Sequence, residues 1–256
     1  MLGAIIGDVV GSRFEFNNIK TKKFDLVTDG SKFTDDSVMT VAVADVLING
    51  NPKNKDEVID TLKKWGRRYP HAGYGGHFYH WVLGNAREPY NSCGNGSAMR
   101  VSACGWIGKT EEEVIDLAKR VTEVTHNHRE GMKGAIVTAL SIYYARIGKS
   151  KEFLREYMEK EYPLIKQLDY EELRRTYEHE DEICQVTLPQ ALYCFLISNS
   201  FEDCLRTTIS IGGDCDTTAA ISCAIAEAYY KEIPEDLKQA VRKKLTLEMI
   251  EVLDRI

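Results

Sequence analysis

Two short acidic motifs, Thr34-Asp35-Asp36-Ser37 and Gly212-Gly213-Asp214-Cys215-Asp216-Thr217-Thr218, each open a run of small and apolar residues. Val38 to Ile48 and Ala219 to Tyr230 are apolar or small almost all round, the pattern of helices surrounded by other helices. The fold must therefore bury two helices whose N-termini each carry two carboxylates. Four carboxylates cannot share a dry interior unpaired, because desolvation raises their pKa values and mutual repulsion splits them further; a bound cation with several formal charges relieves both. Every candidate ligand is oxygen: Asp35, Asp36, Asp214 and Asp216, with the hydroxyls of Thr34 and Thr217. That donor set favours Mg2+ or Mn2+ over zinc, which would recruit His and Cys. Ser, Thr and Asp before an apolar helix are also ordinary N-caps. One cap accounts for one side chain, not for a second carboxylate and flanking hydroxyls in both motifs, nor for a glycine pair that lets the backbone turn sharply. Helix N-termini favour anionic groups, which predicts that these aspartates stay ionised.

Helical periodicity dominates elsewhere. Val114, Leu117, Val121 and Val124 mark one face of a helix starting at Thr110, with Glu113 completing a capping box. Further starts are expected at Asp56, Ser97, Arg129, Ser150 and Pro234, and Pro163 ends a helix. Alternating strands, linkers and fixed-period repeats are missing, which predicts one compact all-α domain over residues 1–256. A hydrophobic content of 43% and a charged content of 28% fit a soluble globular chain. The net charge of -6 argues against a general nucleic-acid binder relying on phosphate neutralisation. Seven cysteines form no CxxC pair, and most sit in apolar helical segments, which fits a reducing cytoplasm. The N-terminal apolar stretch lacks a basic n-region and is interrupted by Asp8, so no signal peptide is expected. Ile183 to Phe201 is uncharged, but Gln185, Pro189 and Gln190 within it argue against a membrane span.

Several other segments carry chemistry alongside an ordinary reading. Glu15 ends Gly7-Asp8-Val9-Val10-Gly11-Ser12-Arg13-Phe14-Glu15 where a helix should give way to a loop, and on its own reads as a solvated charge. Gly94-Asn95-Gly96-Ser97 offers backbone N–H groups to an anion before a helix, or is simply a turn. Gly73-Tyr74-Gly75-Gly76 is a second loop where a ligand could approach the backbone. His126 and His128 could act as acid, base or ligand, or be structural. The run from Glu178 to Glu182 reads as a solvated face that could collect a surface cation. GxSxG, P-loop, Rossmann and HExxH patterns are absent.

Nearly end to end and in register, the chain resembles the ADP-ribosylglycohydrolase family. The matching segments are GDVVGSRFE at 7–15, FTDDSVMT at 33–40, GYG at 73–75, GNGSAMR at 94–100, TH at 125–126, GGDCDTTAAI at 212–221 and IP at 233–234. The resemblance implies an all-α fold around two Mg2+, with Mn2+ as the alternative, held by Thr34, Asp35, Asp36, Asp214, Asp216 and Thr217. It implies that Glu15 is a mobile glutamate covering the metals, and that Gly75, Gly76, Ser92, Gly94, Asn95, Gly96 and His126 hold ADP-ribose. Catalytic work falls to Glu15, Asp35 and Asp36, one of the two aspartates orienting or deprotonating water. Cys215 stands where the family usually has Ser or Thr, which places a thiol beside the metals. The chain is short for the family, which puts the difference in loops that select the acceptor.

The implied reaction is hydrolysis of the bond between C1 of the distal ribose and an acceptor, first an ADP-ribosylated protein side chain such as arginine. A small conjugate such as O-acetyl-ADP-ribose is the next substrate. A non-catalytic ADP-ribose binder and a metal-dependent phosphohydrolase are the rivals from other classes.

Overall fold

A computed structural model describes residues 1–178 and 182–256. The described residues form helices and loops; the only β pairing among them is an isolated bridge between Gly94 and Ile183. At the centre lies the helix Cys215–Tyr230, packed by Leu2–Gly11, Phe201–Ile211, Cys184–Ile197 and Arg129–Arg146. Asp35–Asn49 lies against the first helix and is buried from Asp36 to Val46. Both helices expected to be central are central, and both acidic motifs stand at their N-termini.

The first helix approaches the Cys215 helix closely through absent side chains. Gly3, Gly7 and Gly11 share one face of the first helix, spaced one turn apart. A Cβ on Gly7 would lie 2.3 Å from the carbonyl carbon and oxygen of Ala219, and one on Gly11 would lie 2.5 Å from Cα of Asp216. On Gly3 it would lie 2.4 Å from the Cys223 carbonyl oxygen. The first helix thus docks backbone to backbone on the Cys215 helix, as small-residue stripes permit, and its Asp8 comes within reach of both acidic motifs.

Most helix starts follow their sequence signals. Thr110 Oγ1 accepts from the Glu113 amide at 3.2 Å, although the Glu113 carboxylate reaches the Lys109 amide rather than that of Thr110. Ser150 caps Lys151–Glu161, and a 3-10 turn begins at Pro163. The start expected at Asp56 is capped by Asn54, and Pro234 occupies the cap of Glu235–Arg242 rather than its first turn. The helix expected from Ser97 is a single turn, Gly96–Met99; the chain bends at Arg100 and Val101 before Ser102–Ile107. Cys184–Ile197 contains Pro189, and no helix of the described residues is long and apolar enough to cross a membrane.

Candidate active site

The two acidic motifs meet. Thr217 Oγ1 donates to Asp36 Oδ2 at 3.1 Å, and carboxylate oxygens of Asp8, Asp36 and Asp216 lie within 4.8 Å of one another, as do those of Glu15, Asp214 and Asp216. Gly212 and Gly213 have φ of 81° and 69°, so the turn into the second motif uses two consecutive left-handed residues, a conformation glycine adopts without steric penalty. Asp36 Oδ1 is buried with no hydrogen-bond partner among the described residues. Burial, then repulsion from neighbouring acids, pushes Asp35, Asp36 and Asp216 well above the usual aspartate range. Desolvation and like charge thus act against the helix dipoles, which favour the ionised form.

Asp8, read from the sequence only as an interruption of an apolar stretch, belongs to this cluster. It is fully buried and accepts from the Thr34 amide at 2.9 Å, the Thr34 hydroxyl at 2.7 Å and the Ser37 amide at 3.0 Å, as well as from the Ser37 hydroxyl. One carboxylate of the first helix thus satisfies two backbone donors at the start of the Asp35 helix, those of Thr34 and Ser37, while the Asp35 amide donates to Ala72 O. With its proton given to Asp8, the Thr34 hydroxyl accepts from the Asp36 amide at 3.3 Å as the helix cap. Asp8→Ala strands these donors, each worth about 1–3 kcal/mol when buried. The expected outcome is a clear loss of stability in chemical denaturation, and an unchanged midpoint would reject this role.

Glu15 follows the first helix and lines the same cleft, half-buried, with a carboxylate oxygen within 4.8 Å of those of Asp214 and Asp216. Its loop is bracketed to the second motif by Asn18. The Asn18 amide group donates to Gly213 O at 3.0 Å and its oxygen accepts from Gly213 N at 2.7 Å, while the same amide donates to the carbonyls of Phe14 and Glu15. Lys20 adds a bond to Ile211 O at 2.6 Å.

The acids line an open cleft of about 250 Å³, just under the roughly 300–1,000 Å³ of small-ligand sites. Of the residues singled out in the sequence, Glu15, Asp35, Asp36, Gly75, Gly76, Ser92, Gly94, Asn95, Gly96, His126, Asp214, Asp216 and Thr217 line it; Thr34 lies just behind, hydrogen-bonded to Asp8. Gly75 and Gly76 open the helix Gly76–Leu83, and a Cβ on either would meet nothing within 4 Å. Asn95 is turned partly away from a ligand: its amide bridges Asp214 Oδ2 at 2.5 Å and Thr187 Oγ1 at 3.0 Å. Ser92 Oγ accepts from Gly94 N at 3.1 Å, holding the glycine loop. Arg100, which sequence reasoning passed over, also lines the wall.

Other candidates fall away from the chemistry. His128 caps Arg129–Arg146, its Nδ1 accepting from the Glu130 amide at 3.2 Å. The Cys215 thiol points to the Gly11 carbonyl at 3.7 Å, and burial followed by Asp216 and Asp214 pushes its pKa up, which favours the neutral thiol in the metal-free chain. Of the run expected to be a solvated face, residues 179–181 lie outside the described residues; Glu182 borders the cleft, and its carbonyl accepts from Asn95 N at 2.9 Å.

The sequence model of the family described as ADP-ribosylglycohydrolase matches residues 1–256. The chain is 28% identical to ADP-ribosylhydrolase ARH3 of Mus musculus, over 94% of this chain and 85% of that protein. It is 23% identical to the ADP-ribosyl-[dinitrogen reductase] glycohydrolase of Rhodospirillum rubrum, over 100% and 93%. A solved structure described as an ADP-ribosylglycohydrolase-related protein complex shares the fold, with a TM-score of 0.68 at 24% identity over 98% of this chain and 93% of that one. With the match spanning every segment that builds the acidic cluster and its cleft, the chain belongs to the ADP-ribosylglycohydrolase family.

Proposed function

We propose that this protein is a magnesium-dependent hydrolase that cleaves the glycosidic bond between the distal ribose of ADP-ribose and an acceptor on a protein side chain, arginine being the first to test. The observation that carries the reading is the convergence of both acidic motifs on one cleft walled by the glycine loops and His126. The names of the mouse and Rhodospirillum rubrum relatives support the substrate class. The seven free thiols support a reducing compartment.

The residues present fit two divalent ions. The donor set is oxygen throughout, Asp36 Oδ1 lacks any other partner, and two overlapping carboxylate groups share Asp216. Thr34, Asp35, Asp36, Asp214, Asp216 and Thr217 would hold the ions; Asp8, its oxygens already taken by backbone and hydroxyl donors, would hold Thr34. Bound there, such ions would offset the charge of the cluster and supply Lewis acidity to the ribose hydroxyls and the attacking water. Asp35 or Asp36 takes the proton of that water. Glu15 closes the acid end of the cleft and excludes bulk water, and the Gly75 and Gly94 loops present backbone donors to the nucleotide.

The deciding experiment is a panel of arginine-, serine- and acetyl-linked ADP-ribose substrates, with Mg2+ and with chelator, read by release of free ADP-ribose. Mg2+-dependent release from a protein linkage is expected. Release of phosphate would make the protein a phosphohydrolase, and tight binding without turnover a non-catalytic reader.

The acid cluster also sets a pH signature. A carboxylate with a raised pKa in the folded chain contributes stability that is fully present below the ordinary value of 3.8 and is lost as pH rises through the folded value. The chelated protein therefore loses this contribution towards neutral pH while the loaded protein does not. The gap in Tm between Mg2+ and chelator should widen from about pH 4 upward, and binding should release protons. A gap independent of pH, or a titration saturating at one ion per chain, would reject the binuclear cluster.

Glu15→Gln separates a gate from a solvated charge. Exposed substitutions usually stay within about 0.5 kcal/mol, whereas loss of the carboxylate facing Asp214 and Asp216 should lower activity well beyond that with metal content near wild type. Wild-type activity in this variant would return Glu15 to an ordinary loop residue.

A further inference from the structure

Behind the glycine loop, Arg100 is 1% exposed, and no ion pair to it is present among the described residues. Its Nη2 donates to Val121 O at 2.9 Å and to Thr125 Oγ1 at 2.8 Å, which uses both protons of that nitrogen. Thr125 is fully buried, and its Oγ1 lies 2.8 Å from His126 Nδ1. The proton count then has one solution. A guanidinium can only donate, so Thr125 Oγ1 must accept from Arg100. If Nδ1 also donated, two donors would converge on one oxygen and the buried threonine proton would have no acceptor, at about 1–3 kcal/mol. With Thr125 donating to Nδ1, the Thr125 hydroxyl and His126 Nδ1 are both satisfied and the ring proton resides on Nε2; Arg100 Nε has no partner among the described residues in either case.

Nε2 is the nitrogen that faces the ligand wall. A Cβ on Gly96 would lie 3.3 Å from it and one on Gly94 3.6 Å, so the absence of side chains at both positions leaves that edge of the ring open to the cleft. We infer that Arg100, acting through the Thr125 hydroxyl, holds His126 as the neutral Nε2–H tautomer and so presents one N–H donor to the cleft between Gly94 and Gly96. Arg100 and Thr125 are positioning residues in this arrangement. Burial and the nearby guanidinium also push the imidazole pKa well below the ordinary histidine value, which keeps the ring neutral. That the donor meets an acceptor oxygen of ADP-ribose rests on the function proposed above; the tautomer does not.

Two-bond proton–nitrogen NMR on the metal-free, ligand-free protein labelled at histidine tests it. The expected spectrum shows His126 neutral, with the proton on Nε2 and the bare Nδ1 resonance displaced by a hydrogen bond. Thr125→Val should abolish that displacement and weaken ADP-ribose binding about tenfold, the equivalent of roughly 1.4 kcal/mol, whereas Thr125→Ser should restore both. A proton on Nδ1 in the wild-type protein overturns the inference, as does an Nδ1 resonance identical in wild type and Thr125→Val. If Thr125→Val does not fold, the wild-type and Thr125→Ser spectra decide. If wild-type protein does not bind ADP-ribose, the proposed function fails and the spectrum alone decides the tautomer.

Discussion

Asp36→Ala should lower the turnover of ADP-ribose release by at least about a hundredfold, the scale of losing one preorganised electrostatic group, without unfolding the chain. Asp36 is buried among Asp8, Asp35 and Asp214, and repulsion from all three adds to desolvation in raising its pKa. Its removal deletes an oxygen that no protein donor satisfies and relieves that repulsion, at the expense of the bond from Thr217. Thermal melts in chelator should therefore show a variant about as stable as wild type, while the stabilisation conferred by Mg2+ shrinks. Normal turnover in a folded Asp36→Ala protein would remove this residue from the active site and, with it, the main support for a shared cluster.

The largest effect on stability is expected at a residue with no side chain. Alanine at position 7 would put a methyl 2.3 Å from the Ala219 carbonyl, where the obstacle is backbone and neither helix can yield by turning a rotamer. Overpacking of this kind typically destabilises by about 1–3 kcal/mol and occasionally more, and the rigid contact places Gly7→Ala at about 3 kcal/mol or above. For a chain of this length that corresponds to a fall in Tm of roughly 6–12 °C. Gly75→Ala is the matched control, since a Cβ there meets nothing within 4 Å and the backbone φ of -56° suits any residue. Equal melting temperatures for Gly7→Ala and wild type would mean that the two helices do not need their close approach.

The acidic motifs were readable because they are local: carboxylates and hydroxyls crowded at the start of an apolar run have few ordinary explanations. The helical class followed from periodicity for the same reason, and the family resemblance supplied Glu15 and the glycine loops. Asp8 was not readable in this way. A single aspartate in an apolar stretch carries no local sign that its partners are the amides and hydroxyls of Thr34 and Ser37, which fold against it from another helix. The stripe Gly3, Gly7, Gly11 was hidden likewise, since its meaning lies in the backbone of the Cys215 helix and not in its own spacing alone. Arg100 was missed because the segment after Gly96 reads as one continuous helix. The chain instead bends at Arg100, and that bend places the guanidinium behind Thr125.

The Asn18 bracket ties two events together. The carboxamide closes a two-bond ring with the peptide of Gly213 and at the same time holds the carbonyls of Phe14 and Glu15. Any displacement of Glu15 that carries residues 14–18 with it must break that ring, and the peptide it releases directly precedes Asp214. If Glu15 gates the cleft as proposed, lifting the loop and loosening the turn that aims Asp214 are a single opening step, and whatever holds Asp214 in place would also slow the opening.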